Sequence, residues 1–200
     1  FFRNTMPEGT DNISPCQKKI NIAQDRKAQG NELLKQKNPK KACFEYKIGL
    51  TYLKDCVPSG EGGGENAGIM QFAQQATPGP KPTTGEKQEA TDLYVVLNSN
   101  LAQAYLNRED LLKDGRDGRW DEAVKYATAA LAVDPTNTKA LWRRGKAYFN
   151  KNELDEARAD WSKVKESDPT MVDKEMKQLE KAYVKHKEKE KAVYRNMFSS

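Results

Sequence analysis

Apolar positions along this chain recur at helical intervals, in blocks separated by polar or Gly/Pro-rich interruptions. The first block runs from Ile20 to Gln36, and a second follows Asn38-Pro39 from Lys41 to about Cys56. Pro39 stands where the second helix would begin, the position proline tolerates best, so the two blocks predict a helical hairpin with a short turn. Residues 1–19 read as a polar arm, punctuated by Pro7, Gly9 and Pro15. Gly and Pro are too dense over residues 57–88 for a packed helix, which predicts a mobile surface loop there. Its apolar island from Ile69 to Ala73 reads as packing on its own domain or staying disordered, ahead of a docking motif. Helical pattern resumes near Ala90 and runs through Asn107 or as far as Asp114, with a turn at Gly115-Arg-Asp-Gly118.

A repeat decides the fold class. The stretch from Trp120 to Pro135 aligns with that from Leu154 to Pro169, and Ala123 and Ala157, like the two prolines, are separated by 34 residues. That is the tetratricopeptide period. The expected fold is all-α, a right-handed superhelix of three helix-turn-helix repeats over residues 20–171, with a long capping helix and tail over 172–200. The register puts the repeats at about 23–56, 95–137 and 138–171. Gly30 and Gly145 fall where the helices of a hairpin approach closely, Tyr105 and Tyr148 fill the groove below, and Ala42, Ala123 and Ala157 open the second helices. Val172, Met176, Leu179 and Tyr183 form one stripe able to cover the open end of the stack.

Composition removes several functions. A formal charge of +5, from 34 basic and 29 acidic residues, does not demand nucleic acid, and no aromatic stacking platform accompanies the basic residues. Cys16, Cys43 and Cys56 lie far apart without a Cys-x-x-Cys pair and His186 is the lone histidine, which argues against a disulfide scaffold and a structural zinc site. No metal or cofactor is expected. A reducing compartment follows, cytoplasmic or also nuclear. No apolar run approaches the roughly 18 residues of a membrane helix. With one histidine and no nucleophile–base pair at recognisable spacing, this stretch is not expected to be an enzyme. The start at Phe1-Phe-Arg-Asn predicts a longer parent chain with a preceding domain.

The repeats themselves suggest a binding chemistry. Lys27 and Asn31 in the first, Asn100 in the second, and Lys139 and Arg143 in the third fall on the stripe of each first helix that lines the concave groove of stacked repeats. Lys139 and Arg143, four apart, can grip one anion together. The asparagines add amide donors for a backbone or carboxylate. None has a neighbouring base, so the groove binds anions without transforming them. The implied ligand is an extended peptide with clustered carboxylates, best a terminal α-carboxylate beside an Asp side chain. The alternative is an assembly scaffold that recognises an internal peptide. The basic run Lys185-His-Lys-Glu-Lys-Glu-Lys191 reads first as a solvated helix face and second as a basic amphipathic target for calmodulin or an anionic surface.

The segments Lys27-Ala-Gln-Gly-Asn31, Asn98-Ser-Asn100-Leu-Ala-Gln-Ala-Tyr105 and Lys139-Ala-Leu-Trp-Arg143-Arg-Gly resemble the dicarboxylate-clamp tetratricopeptide domains. Those domains hold the Glu-Glu-Val-Asp tail of heat-shock protein 90 or its seventy-kilodalton counterpart. The ending from Glu188 to Phe198 resembles the terminal helix of the large immunophilins, of FK506-binding and cyclophilin-forty type, in which a peptidyl-prolyl isomerase domain precedes three such repeats. The resemblance covers about residues 20–198 and implies a co-chaperone docking module. It differs in the length of the 57–88 loop and of the 108–118 turn.

Overall fold

The computed structural model describes residues 13–57, 81–113 and 116–197. The polar arm up to residue 12, the apolar island from Ile69 to Ala73 and most of the expected loop lie outside them. Among the described residues are seven α-helices: α1 (Pro15–Lys35), α2 (Pro39–Leu53), α3 (Thr84–Leu106), α4 (Gly118–Val133), α5 (Thr138–Asn150), α6 (Leu154–Ser167) and α7 (Asp173–Met197). A two-residue antiparallel ladder, β1 (Leu112–Lys113) with β2 (Arg116–Asp117), occupies the turn between α3 and α4. Consecutive helices pack as antiparallel hairpins, and α3 also touches both α1 and α5, the three forming the inner layer of an all-helical stack.

Local sequence explains where the helices stop and start. Ser14 accepts from the Gln17 N–H ahead of Pro15, Asn38 from the Lys41 N–H ahead of Pro39, and Asn137 from the Ala140 N–H. Each satisfies an N–H that the helix leaves without a partner. Two hairpins turn by the same device. Lys37 and Asn152 adopt φ of 57° and 63°, and the following N–H groups reach back from Asn38 to Leu33 (2.9 Å) and from Glu153 to Tyr148 (2.9 Å).

Two boundaries differ from the sequence reading. The first helix begins at Pro15 rather than near Ile20, and α3 begins at Thr84 rather than near Ala90. The turn added to α3 is polar and the one added to α1 gives only Cys16 to the core, so the hydrophobic period marks neither start strongly. They are held instead by caps and by each other. Thr83 and Glu86 form a reciprocal capping box, the Ser14 hydroxyl donates to Glu86, and Gln24 donates to Glu89 at 2.8 Å. At its other end α3 stops at Leu106, short of Asp114.

The core falls into two clusters along the stack. Ile20, Tyr46, Leu53, Leu97 and Leu101 are sealed in the first, and Trp161, Val164, Val172 and Leu179 in the second. Ala42, Ala123 and Ala157 are fully buried contact points. Glycine is required at two of the crossings. A Cβ on Gly30 would lie 2.4 Å from Tyr46 Cε1, and one on Gly145 would lie 2.5 Å from Trp161 Nε1. The stripe of α7 covers α6 as expected, with Met176 and Tyr183 against the second cluster. No helix of the described residues is long and apolar enough to cross a membrane.

Candidate functional site

The rotation of α5 decides what its basic residues face. The indole Nε1–H of buried Trp161 donates to the Trp142 carbonyl at 3.2 Å, and its ring lies against Gly145, so α5 is pinned on α6 at two successive turns. Arg144 is thereby turned outward onto α6. Its Nε and Nη2 hold both oxygens of buried Asp160, at 2.8 and 2.7 Å. Arg143 is turned inward onto α3.

There its guanidinium meets three neutral acceptors. Nε donates to Gln103 Oε1 at 3.3 Å, and Nη1 donates to the Ser99 hydroxyl and to Asn100 Oδ1 at 3.5 Å. No carboxylate pairs with it among the described residues. Burial pushes its pKa down to about 10, with a small opposing effect from Tyr46, so it is still charged at neutral pH. A desolvated cation with only dipoles around it is electrostatically under-compensated, and an incoming anion would be stabilised there.

The line continues across the stack. Asn100 Nδ2 donates to Asn31 Oδ1 at 3.1 Å, and the hydroxyl of buried Tyr46 donates to the same oxygen at 2.7 Å. Three of the five residues expected from sequence, Asn31, Asn100 and Arg143, therefore form one hydrogen-bonded row reaching from α1 through α3 to α5. Lys27 and Lys139 do not join it. Each sits one helical turn before its partner, Lys27 half-buried on α1 and Lys139 exposed on α5, and neither has an ion-pair partner among the described residues. Lys139 lines a shallow depression of about 350 Å³ with Arg143, Gln103, Trp142 and Met171.

Tyr46, Ser99 and Gln103 lie beyond the five residues that the spacing predicts. Ser99 and Gln103 sit one residue before and three after Asn100 on the same helix, so helical spacing carries a signal for them. Tyr46 stands on α2, outside the inner layer, and had none. A larger hollow of about 830 Å³ lies between the start of α2 and the end of α3, beside Phe44 and Tyr105, and contains none of the five residues. Among the described residues no group of His, Cys, Asp and Glu could hold a metal ion.

The helical stack is similar to those of known proteins. Residues 116–183 match the tetratricopeptide repeat family model. The chain is 26% identical over 197 residues, 96% of its length, to the peptidyl-prolyl cis-trans isomerase CYP7 of Saccharomyces cerevisiae, and spans 42% of that protein. In structure it is similar to the C-terminal tetratricopeptide domain of a Plasmodium falciparum protein named for FK506 binding. The TM-score is 0.63 at 22% identity, covering 90% of this chain and 97% of that one. It is also similar to the first tetratricopeptide domain of Spaghetti (RPAP3), solved with the heat-shock protein 90 peptide SRMEEVD. Here the TM-score is 0.55 at 22% identity, covering 82% and 97%. The helical stack is thus a tetratricopeptide fold.

Proposed function

We propose that this chain is a co-chaperone docking module that binds the acidic C-terminal Glu-Glu-Val-Asp tail of heat-shock protein 90. Lys139 and Arg143 hold the acidic side chains, and Lys27, Asn31 and Asn100 hold the terminal aspartate. The single observation carrying this reading is Arg143, desolvated, charged and, among the described residues, bonded to neutral acceptors alone, at the end of a row of donors. The peptide bound to the structurally similar Spaghetti domain has the required chemistry. The seventy-kilodalton chaperone carries the same terminal motif and is the second candidate. The isomerase relative, of which this chain spans 42%, supports a longer parent chain with a preceding peptidyl-prolyl isomerase domain, and the free, buried Cys16, Cys43 and Cys56 fit a cytoplasmic setting.

Hydrogen bonds to charged groups contribute about 1.5–3 kcal/mol each, so five give a gross stabilisation on the order of 7–15 kcal/mol. Ordering and immobilising a free tail costs roughly 4–15 kcal/mol. The cost offsets much of the gain, so the complex is expected to be readily reversible, with a Kd of about micromolar magnitude. Titration calorimetry with a free-acid Glu-Glu-Val-Asp peptide tests it: binding weakens as salt rises, is lost on amidating the peptide C-terminus, and is abolished by Lys139→Ala with helicity unchanged. Equal binding of the amidated peptide would instead establish a scaffold for internal segments. Calmodulin is a separate proposal for α7 beyond Tyr183, where Val184, Val193, Tyr194 and Met197 stand exposed beside the lysine run.

A further inference from the structure

The row of hydrogen bonds has a direction, and one group imposes it. A guanidinium can only donate, so the Asn100 atom that faces Arg143 at 3.5 Å has to be the carbonyl oxygen. The other end of that amide, Nδ2, then points to Asn31 at 3.1 Å, and a donor requires an acceptor opposite. Asn31 must answer with Oδ1. The Tyr46 hydroxyl, 2.7 Å from the same oxygen, is left with donating to it. Both lone pairs of Asn31 Oδ1 are thus occupied, and its two Nδ2 hydrogens are the part of the amide with no partner among the described residues.

We propose that Tyr46 is a positioning residue of the binding site, whose hydroxyl locks the Asn31 amide with its N–H groups available for a carboxylate. This rests on the peptide-binding reading above. An amide that could rotate by half a turn would offer a carbonyl as readily as an N–H, and a carbonyl repels a carboxylate. Two donors converging on Oδ1 remove that freedom. Tyr46 itself cannot swing away, because its ring is fully buried and pressed against α1 at Gly30, one residue before Asn31, where a Cβ would lie 2.4 Å from ring Cε1. Burial also holds the hydroxyl protonated, pushing its pKa up to about 12, so the donor survives at any ordinary assay pH. Tyr46 touches no ligand in this scheme. It acts through Asn31.

The test is a double-mutant cycle with the free-acid Glu-Glu-Val-Asp peptide, read by calorimetry and by the Asn31 side-chain amide resonances. Tyr46→Phe keeps the ring and its packing on Gly30 while deleting the donor. It is expected to raise Kd roughly threefold to tenfold, the loss of about one hydrogen bond. It is also expected to shift and broaden the Asn31 Nδ2 resonances before any peptide is added. In an Asn31→Ala background the same change should leave Kd where it is. A Kd for Tyr46→Phe equal to wild type, or the same factor lost with and without Asn31, would overturn the positioning role while leaving the peptide site standing. Failure of the wild-type chain to bind the peptide would overturn both.

Discussion

Arg143 and Arg144 are adjacent in the chain and opposite in electrostatic situation. Arg144 closes on both oxygens of buried Asp160, at 2.8 and 2.7 Å, and the pair holds α5 on α6. Arg143 faces the inner layer with Ser99, Asn100 and Gln103 as its partners and no carboxylate among the described residues. One arginine is consumed by the fold. The other is left in want of an anion.

The two should separate cleanly on substitution. Arg144→Ala strands the Asp160 carboxylate, which is 3% exposed, and should cost about 3–5 kcal/mol in urea unfolding. Arg143→Ala removes a desolvated cation that no carboxylate among the described residues offsets, so stability should stay within about 1 kcal/mol of wild type while peptide binding is lost.

Glycine at position 30 is a steric requirement, not a helix weakness to be engineered away. Alanine would gain up to about 1 kcal/mol of helix propensity but would set a methyl 2.4 Å from Tyr46 Cε1, and overpacking of that kind costs about 1–3 kcal/mol. Gly30→Ala should therefore lower the urea midpoint. Gly85→Ala, in the first turn of α3 with nothing within 4 Å of a new Cβ, should raise it slightly.

The turn between α1 and α2 carries a correctable strain. Lys37 sits at φ 57°, a region that favours glycine, and its side chain is exposed with no ion pair among the described residues. Lys37→Gly should stabilise the first hairpin by up to about 1 kcal/mol, visible as a higher Tm, with peptide Kd unchanged.

Stability should fall on the acid side. Glu86 is held below its usual carboxylate range chiefly by the Ser14 hydroxyl and then by Thr83, Asp134 by the Thr136 hydroxyl and the Asn137 amide, and Asp168 by the Thr170 hydroxyl. A carboxyl whose folded pKa lies below its unfolded value contributes stability that is present above the unfolded pKa and lost as pH drops through the folded one. Tm should be level above about pH 5 and decline progressively below the ordinary glutamate value of 4.5. Asp134→Asn should lower Tm at pH 7 and make the acid decline shallower.

Much of this protein is written in intervals along the chain. A period of 34 residues, prolines at the first helical position, small residues at helix crossings and a stripe of donors on the first helices are local facts. Each follows from helical geometry applied to a few neighbouring turns, so the all-helical stack and the five candidate residues were legible without coordinates. Other features join residues far apart and leave no period behind them. The early starts of α1 and α3 rest on polar contacts between Ser14, Gln24, Glu86 and Glu89. The division of labour between Arg143 and Arg144 follows from how Trp161 seats α5, and the recruitment of Tyr46 to Asn31 from how closely α2 approaches Gly30. Spacing can say which face a side chain occupies, but only packing says which atom on another helix it meets, and it is those meetings that leave Arg143 without a carboxylate among the described residues.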